Sequence, residues 1–474
     1  MDSQPVLQKT VSVRLGHTER RLILLIGDLI VSYLALLIAL YFWAQRDQWL
    51  KFSWDFLRQR PDLWFWFLPM IWMVLINELY DQHHASRRAD VVRSILVAAG
   101  IGFGFYLIVF FLSDTDSLPR QGVATFIIFT AILTLGWRLV YIKVFTASQF
   151  MRRVLVVGAG RAGSALCSVV SSIKPPPFHT IGLIDDDLQK IGTQVIDFSV
   201  LGSSADLDAL ITRHSITDII FAISGEMRPE MFQALVNAQE RGIEVHSMPA
   251  TYEEILGRVP IFLLQSDWIL RSFVDQARTN SFYELIKRLI DIVGGLVGVV
   301  FLVLMFPFIA GLILIETGWP IMFNQKRLGK NGQEYKIYKF RTMIQNADKE
   351  SPRVTVTHDA RITRVGNVLR KSHLDEWPQF INVLNGEMSL VGPRAEQSDL
   401  VLQLQANIPF YRARLLVKPG ITGWAQVNFG YAATVEDTAI KLEYDLYYIK
   451  HRNLLLDILI MLRTFGTMVG FRGQ

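Results

Sequence analysis

Apolar runs of membrane-crossing length constrain this 474-residue chain more than any other feature. Four stand in its first third, from about Leu22 to Trp43, Leu63 to Leu79, Val91 to Leu112 and Val123 to Val144. Each approaches the roughly 20 residues a helix needs to cross hydrocarbon. A fifth run, Ile292 to Ile315, holds 24 residues without a charge. Backbone placed in lipid must satisfy its own hydrogen bonds, so each run is expected as a helix and the soluble chemistry falls to the stretches between them. Composition agrees, with 51% hydrophobic against 19% charged residues, including 30 Phe and 11 Trp. The length leaves room for about three domains.

The flanking charges give an orientation. Lys9, Arg14, Arg20 and Arg21 precede the first run, Arg87, Arg88 and Arg93 separate the second and third, and Arg152 and Arg153 follow the fourth. The connection from Asp114 to Arg120 has one cation against two acids. By the positive-inside rule both ends of this four-helix block, residues 1–150, face the cytoplasm. Arg46, Lys51, Arg58 and Arg60 oppose that scheme. Asp28 and Arg138 lie within or near the spans, where they either pair inside the bundle or snorkel, or else mark a polar pathway. The N-terminus is polar and the first run is too long for a signal-peptide core, so an uncleaved anchor is expected. The single Cys167 excludes an internal disulfide or a Cys-rich metal site. The formal charge of +5 is modest, and its clustering beside apolar runs points to anionic lipid rather than nucleic acid.

At Arg152 the pattern changes to RRVLVVGAGRAGSAL, a buried strand running into a Gly-rich turn and a helix. Gly158, Gly160 and Gly163 fit G-x-G-x-x-G, and the next strand ends in Asp185, Asp186 and Asp187. With further strands at Thr217 to Ala222 and Glu244 to Met248, residues 151–250 read as a Rossmann-like α/β domain with a candidate nucleotide site at Gly158, Gly160, Gly163 and Asp185. The spacing is loose, because Asp185 lies 22 residues past Gly163 with a Lys-Pro-Pro-Pro insertion between. A regulatory or structural role is the alternative. Residues 251–280 read as a linker.

The fifth run belongs to the segment 287–316. Arg278, Lys287 and Arg288 precede it, while Lys326, Arg327, Lys330, Lys336, Lys339 and Arg341 follow. A simple span would place the second cluster outside, against the charge rule. A re-entrant helix-break-helix keeps both ends cytoplasmic, with Pro307 as the break because it removes a backbone donor.

The densest chemistry sits in Arg370 to Arg394, RKSHLDEWPQFINVLNGEMSLVGPR. Adjacent carboxylates, Asp375 and Glu376, share the stretch with Arg370, Lys371 and Arg394. On a phosphate ester one carboxylate can attack phosphorus, the other can hold a divalent metal, and arginines can grip phosphoryl oxygens in bidentate fashion. A plain alternative has Asp-Glu opening an amphipathic helix with Ser372 as N-cap. His373 reads as a solvated residue rather than a base.

The blocks Gln325-Lys326-Arg327-Leu328-Gly329, Lys339-Phe340-Arg341-Thr342-Met343, Leu374-Asp375-Glu376-Trp377-Pro378-Gln379, Ser389-Leu390-Val391-Gly392-Pro393-Arg394 and Lys418-Pro419-Gly420-Ile421-Thr422-Gly423-Trp424, with Arg288, Asp291 and Pro307, resemble the bacterial sugar transferases. These are the large monotopic polyprenyl-phosphate phosphoglycosyl transferases that initiate exopolysaccharide, capsule or O-antigen synthesis. The resemblance implies an α/β membrane protein of the bacterial inner membrane, multi-pass, with a catalytic domain at residues 281–474 on the cytoplasmic face. It implies a UDP-sugar donor, with glucose or galactose as the guess, undecaprenyl phosphate as acceptor, Mg²⁺ as cofactor and a homodimer. In that reading Asp375 attacks the β-phosphorus, UMP leaves, and the acceptor then takes the phosphosugar. Glu376 is catalytic and a metal ligand, and Lys339, Arg341, Arg370 and Arg394 bind substrate.

This chain departs from the pattern in two places. Asn428-Phe429-Gly430-Tyr431 stands where many relatives carry Asn-Gly-Arg, so either Arg412 or Arg414 substitutes for the missing arginine or the sugar-nucleotide end is held differently. Phe306 precedes Pro307 where a Ser is common. The C-terminal run from Asn453 to Arg472 is expected at the membrane interface or against the re-entrant segment, with packing into a soluble core as the alternative. Trp424 and the Tyr444 to Tyr448 run suit either an aromatic rim or a core. Two other functions fit single features: an NAD-dependent sugar-nucleotide dehydratase or epimerase fits Gly158 to Gly163, and a membrane scaffold fits the helices.

Overall fold

The computed structural model describes residues 17–45, 49–80, 88–112, 120–145, 151–174, 176–263, 281–344, 359, 361–430 and 434–469. The extreme N-terminus, the connections 81–87 and 113–119 used for orientation, most of the 251–280 linker, and Tyr431 lie outside these described residues. The chain divides into two compact units, one of residues 1–159, 167–220 and 227–245 and the other of 160–166, 221–226 and 246–474.

The first unit begins with α1 (His17–Ala44), α2 (Trp54–Gln59), α3 (Leu68–Leu75), α4 (Arg88–Leu112) and α5 (Arg120–Phe145). Leu22–Ala44 of α1 and Arg120–Val144 of α5 are long and apolar enough to cross a membrane. The second expected span is not one helix. It runs as a 3-10 turn (Leu63–Phe67), then α3, then a 3-10 turn (Asn77–Tyr80). Pro69 sits in the first turn of α3, where a missing N–H favours starting a helix over continuing one. Asp28 and Arg138 are fully buried and pair at 2.5 Å, and Arg138 also donates to the Leu79 carbonyl at 2.8 Å. Of the expectations for these residues, pairing is the one observed. The desolvated pair ties α1, α5 and the broken segment together, so losing one partner would strand a buried charge.

A six-stranded sheet follows, in the order β3-β4-β2-β1-β5-β6. Its strands are β1 (Arg153–Val157), β2 (His179–Ile184), β3 (Gln194–Val195), β4 (Phe198–Gly202), β5 (Asp218–Phe221) and β6 (Glu244–Ser247). Helices α6 (Arg161–Ser172), α7 (Leu207–His214) and α8 (Pro229–Glu240) alternate with them. β1 pairs parallel with β2, and β2 with β4. Val154, Leu155, Val156 and Val157 of β1 are all buried, as expected of a central strand covered on both faces. The strand order reverses beside β1, which puts the glycine turn at the switch point where doubly wound sheets bind ligands.

In the second unit α9 (Met248–Leu256) runs from the end of the expected α/β domain into the stretch 251–280 expected as linker. Glu253 on α9 meets Lys450 at 2.8 Å and His451 at 2.9 Å, and the Gly257 carbonyl accepts the Trp424 indole N–H at 2.7 Å. The rest comprises α10 (Ser281–Thr317), the antiparallel hairpin β7 (Met322–Leu328) and β8 (Glu334–Phe340), α11 (Arg364–Lys371), α12 (Gln379–Asn385), β9 (Ser389–Val391), α13 (Ser398–Asn407), β10 (Gly420–Thr422), α14 (Trp424–Asn428), α15 (Val435–His451) and α16 (Leu454–Val469). β9 and β10 pair in parallel.

α10 is the third helix among the described residues that is both long and apolar enough to cross a membrane. Pro307 lies inside this one 37-residue helical element, where its missing N–H removes a helical hydrogen bond without ending the element. Gly298 of α10 lies against the Phe380 ring so closely that a Cβ at this position would come within 2.3 Å of it, and helix and ring approach only because no side chain intervenes. Trp424, Tyr448 and Ile460 are buried in one core with Val259, Val391 and Leu446. The aromatic residues therefore form core rather than a headgroup rim, and α16 joins that core. α16 also meets the start of α10, where Asp457 accepts from Tyr283 at 3.0 Å and Lys287 at 2.9 Å.

Candidate active site

Three segments bring the site together. α11 is held at its N-terminus by Thr363 as cap and by the Glu316 carboxylate, which accepts from the Arg364 and Val365 N–H groups at 2.7 and 3.0 Å. That anion satisfies donors a helix start leaves open. Gly366 presses against the Thr342 carbonyl, where a Cβ would come within 2.1 Å. This contact lets Arg370, one turn on, donate through Nε to Thr342 Oγ1 at 2.9 Å.

α11 ends at Ser372, whose hydroxyl donates back to the Val368 carbonyl at 2.8 Å. Ser372 thus closes one helix and does not cap the next. His373 takes a left-handed conformation, φ 56°, and starts the 3-10 turn Leu374–Glu376 that carries both carboxylates. A left-handed histidine is uncommon and directs the chain abruptly. Asp375 and Glu376 consequently stand on a tight turn and not at the start of a regular amphipathic helix.

Glu376 is gripped by two cations from separate elements. Lys339 of β8 donates to Oε1 at 2.7 Å, and Arg394, which follows β9 through Gly392-Pro393, reaches Oε1 at 2.5 Å and Oε2 at 3.4 Å. Burial opposes ionisation of Glu376, yet Arg394 and Lys339 hold its carboxyl well below the usual carboxylate range. Asp375 is 9% exposed, and no described residue donates a hydrogen bond to its carboxylate. Burial and the neighbouring Glu376 charge push its pKa up to about 6, against the pull of Lys339, Arg370 and Arg394. The result is a carboxylate that is ionised at neutral pH, poorly solvated and unengaged, which are the properties of a nucleophile.

Five of the expected residues therefore converge: Lys339, Arg370, Asp375, Glu376 and Arg394. Three cations face two acids, so the centre has charge left for phosphoryl oxygens. Arg341 is 7% exposed and turned toward the end of α10, donating to Thr317 Oγ1 and the Gly318 carbonyl. Its Nε and Nη1 are buried without a partner among the described residues. Glu376 Oε2 has only the 3.4 Å contact, longer than a charge-assisted hydrogen bond, so lone pairs remain for a hard divalent cation of the kind that takes oxygen ligands. The donor set thus fits a metal.

Arg414, one of the two candidates to replace the missing arginine, is 5% exposed and spent internally. It donates to Asp445 at 2.7 Å, to Tyr411 at 2.7 Å and to the Arg394 carbonyl at 3.1 Å, so it fixes the backbone of Arg394. Arg412 is exposed. A guanidinium that sequence reasoning passed over, Arg463 of α16, donates to Asn428 Oδ1 at 2.9 Å and lies 5.1 Å over the Trp424 ring. Its signal was weak, a single cation in an apolar run. Thr342 lies in the Lys339 to Met343 block but nothing in the sequence assigns it the contact with Arg370, and nothing in the local pattern of Glu316 distinguishes it.

In the α/β domain, Gly158 (φ 107°) and Gly160 flank Ala159, and Gly163 falls within α6. Asp185 accepts from the Ala159 N–H at 2.8 Å, from the Asp187 N–H at 2.9 Å and from Lys190 at 3.1 Å. Burial opposes ionisation here too, but the Asp187 and Ala159 N–H groups and Lys190 hold its carboxyl below the usual range. Asp185 is thereby occupied by its own glycine turn.

Two family models match the chain: bacterial sugar transferase over residues 282–471 and CoA-binding domain over residues 75–249. The chain is 42% identical over 227 residues to UDP-N-acetylgalactosamine-undecaprenyl-phosphate N-acetylgalactosaminephosphotransferase of Aeromonas hydrophila, covering 48% of this chain and 52% of that protein. It is 31% identical over 281 residues to UDP-glucose:undecaprenyl-phosphate glucose-1-phosphate transferase of Xanthomonas campestris pv. campestris, covering 57% and 56%. Against exopolysaccharide production protein PSS of Rhizobium leguminosarum bv. phaseoli it is 36% identical over 191 residues, 39% of this chain and 94% of that protein. The chain spans about half the length of the first two relatives and nearly all of the third. On the site geometry, the motif blocks and these matches together, the chain belongs to the bacterial sugar transferase family.

Proposed function

We propose that this protein transfers a sugar 1-phosphate from a UDP-sugar to undecaprenyl phosphate, the first membrane step of a polysaccharide such as exopolysaccharide, capsule or O-antigen. The observation that carries the reading is Asp375, a buried and unengaged carboxylate with a pKa of about 6, set beside the Glu376–Lys339–Arg394 cluster. An Asp375 oxygen attacks the β-phosphorus of the donor, the bond to the bridging oxygen breaks, and UMP leaves with that oxygen. The acceptor phosphate oxygen then attacks the same phosphorus, forming undecaprenyl-diphosphate-sugar and restoring the carboxylate. Arg370 and Arg394 hold phosphoryl oxygens, and the unpartnered Nε and Nη1 of Arg341 suit a further anionic oxygen. Mg²⁺ at Glu376 would supply neutralisation of charge building on the diphosphate.

Re-entry of α10 belongs to the same proposal. Arg288 near its start donates to the Val383 and Leu384 carbonyls at 2.7 Å, while Glu316 at its end binds the N–H groups of Arg364 and Val365. Residues 365 and 383 bracket one short polar stretch that includes Arg370, Lys371, Asp375 and Glu376. Such a stretch has no place in hydrocarbon about 30 Å thick, which supports both ends of α10 meeting the membrane from one side. Charge placement in the first third supports that side being the cytoplasm of a bacterial inner membrane. Relatives named for N-acetylgalactosamine and for glucose leave the sugar to experiment. UMP release should be scored with undecaprenyl phosphate and Mg²⁺ against UDP-N-acetylgalactosamine, UDP-glucose and UDP-galactose. Release with one donor supports the reading; no release with any, or release that survives Asp375→Asn, defeats it. Molar mass in a lipid nanodisc tests the expected homodimer.

A further inference from the structure

A second cationic cleft lies at the start of α10. Glu284, Lys287, Arg288 and Asp291 fall at i, i+3, i+4 and i+7, so they share one helix face, and Lys330 and Lys418 close the cleft from the hairpin turn and the approach to β10. It shares no residue with the Asp375–Glu376–Arg394 cluster. Its charges do not balance. Lys287 is neutralised by Asp457 at 2.9 Å and Arg452 by Glu284 at 3.1 Å. Asp291 is committed to the Ser389 hydroxyl at 2.9 Å and the Leu390 N–H at 2.8 Å. Among the described residues that leaves three cations, Lys330, Lys418 and Arg288, against Asp291, the Arg288 guanidinium keeping its charge although it donates to the Val383 and Leu384 carbonyls at 2.7 Å. A Cβ placed on Gly386 would meet Arg288 Nη2 at 3.5 Å and Lys418 Nζ at 3.6 Å, so these two cationic heads converge on one point. Neither the Lys330 nor the Lys418 ammonium makes a hydrogen bond or ion pair among the described residues, and Asp291 and Glu284 favour the Lys418 charge only from a distance. Burial and the Arg288 charge together push the Lys418 ammonium pKa below its ordinary value, as expected of a cation awaiting an anion.

Size and depth narrow the ligand. The cleft offers about 30 Å³, room for roughly two water-sized groups, which suits phosphoryl oxygens and not a nucleotide. On the opposite face of the same helical turns, Phe282, Leu285, Leu289 and Val293 are 64%, 69%, 60% and 55% exposed. An apolar face open at this level places the cleft where headgroups meet acyl chains.

We propose that Arg288, Lys330 and Lys418 bind the phosphate of an anionic phospholipid headgroup, docking the second unit on the membrane surface. The site stands whether or not the transfer reading holds. The test uses the purified full-length chain in neutral detergent, with thermal midpoints measured after adding phosphatidylglycerol, phosphatidylcholine or inorganic phosphate. Phosphatidylglycerol should raise the midpoint by about 4–8 °C, the effect of two lysines. Phosphatidylcholine and inorganic phosphate at equal concentration should not reproduce it. Lys330→Gln with Lys418→Gln should abolish the rise. Lys418→Arg should retain it, and so should Lys326→Gln, which removes an exposed cation elsewhere on the hairpin. A rise that persists in the double variant, one that disappears equally in Lys326→Gln, or one matched by inorganic phosphate would overturn the proposal.

Discussion

Asp375 and Asp185 are both aspartates placed at tight turns, one within the Leu374–Glu376 turn and the other just past β2, and their surroundings send them in opposite directions. Asp185 is met by two backbone N–H groups and a lysine of its own domain, and its carboxyl is held below the usual range. Asp375 receives no hydrogen bond from any described residue, faces Glu376, and titrates near 6. A carboxylate satisfied by its own fold has nothing left to offer a ligand. One left short of partners keeps its reactivity at a cost to stability, the usual trade at functional sites.

The contrast is broken most directly by activity. Asp375→Asn should lower UMP release by about 10⁴-fold or more, the scale on which removing a nucleophile acts. Asp185→Asn should leave release within about twofold, because no step passes through it. Comparable losses in both would erase the distinction.

The acid limb of the rate sharpens it. Since the ionised form of Asp375 is the reactive one, the turnover rate should fall about tenfold per pH unit below about 6. Lys339→Met removes a cation that lowers this pKa, so the limb should move to higher pH. A limb near pH 4 in the unmodified protein would show that Asp375 is ordinarily solvated. Metal dependence should distinguish the adjacent acids of the site as well: Glu376→Gln should require more Mg²⁺ for half-maximal rate, and an unchanged titration would remove Glu376 as ligand.

Stability gives the smallest effect. Asp185→Asn should cost about 1–3 kcal/mol in chemical denaturation by leaving buried donors short of an acceptor. Asp375→Asn should instead raise the melting midpoint at pH 7.5. The sign follows from the raised pKa: an ionised Asp375 burdens the folded state above about pH 6, and the burden fades as pH falls from 6 toward 4. The advantage of the Asn variant should fade over the same window.

Much of this contrast is legible in the residues alone, though unevenly. Adjacent acids among arginines, with ordered motif blocks around them, point to Lys339, Arg370, Asp375, Glu376 and Arg394, which do converge. Membrane-length runs are readable because lipid imposes length and apolarity on each segment separately. What cannot be read depends on tertiary partners. The Leu63 to Leu79 run has the right composition but is divided by turns, and Pro307, expected to break α10, sits within one continuous helical element. Likewise G-x-G-x-x-G and a following aspartate match a nucleotide fingerprint, while the folded chain turns Asp185 onto Ala159. Arg414 and Arg463 look alike in sequence as stray cations. Burial against Asp445 makes the first a strut, and a stack on Trp424 makes the second a neighbour of the altered Asn428-Phe429-Gly430 segment.

The central claim is that Asp375 itself carries the phosphosugar. Incubating the full-length protein with Mg²⁺ and its UDP-sugar, without undecaprenyl phosphate, then quenching and weighing the protein and its peptides, tests this directly. One sugar-phosphate mass on the peptide containing Asp375, absent from Asp375→Asn and discharged by added acceptor, is the predicted result. Steady UMP release upon acceptor addition with no adduct on that peptide at any time, or an adduct on another residue, would contradict it.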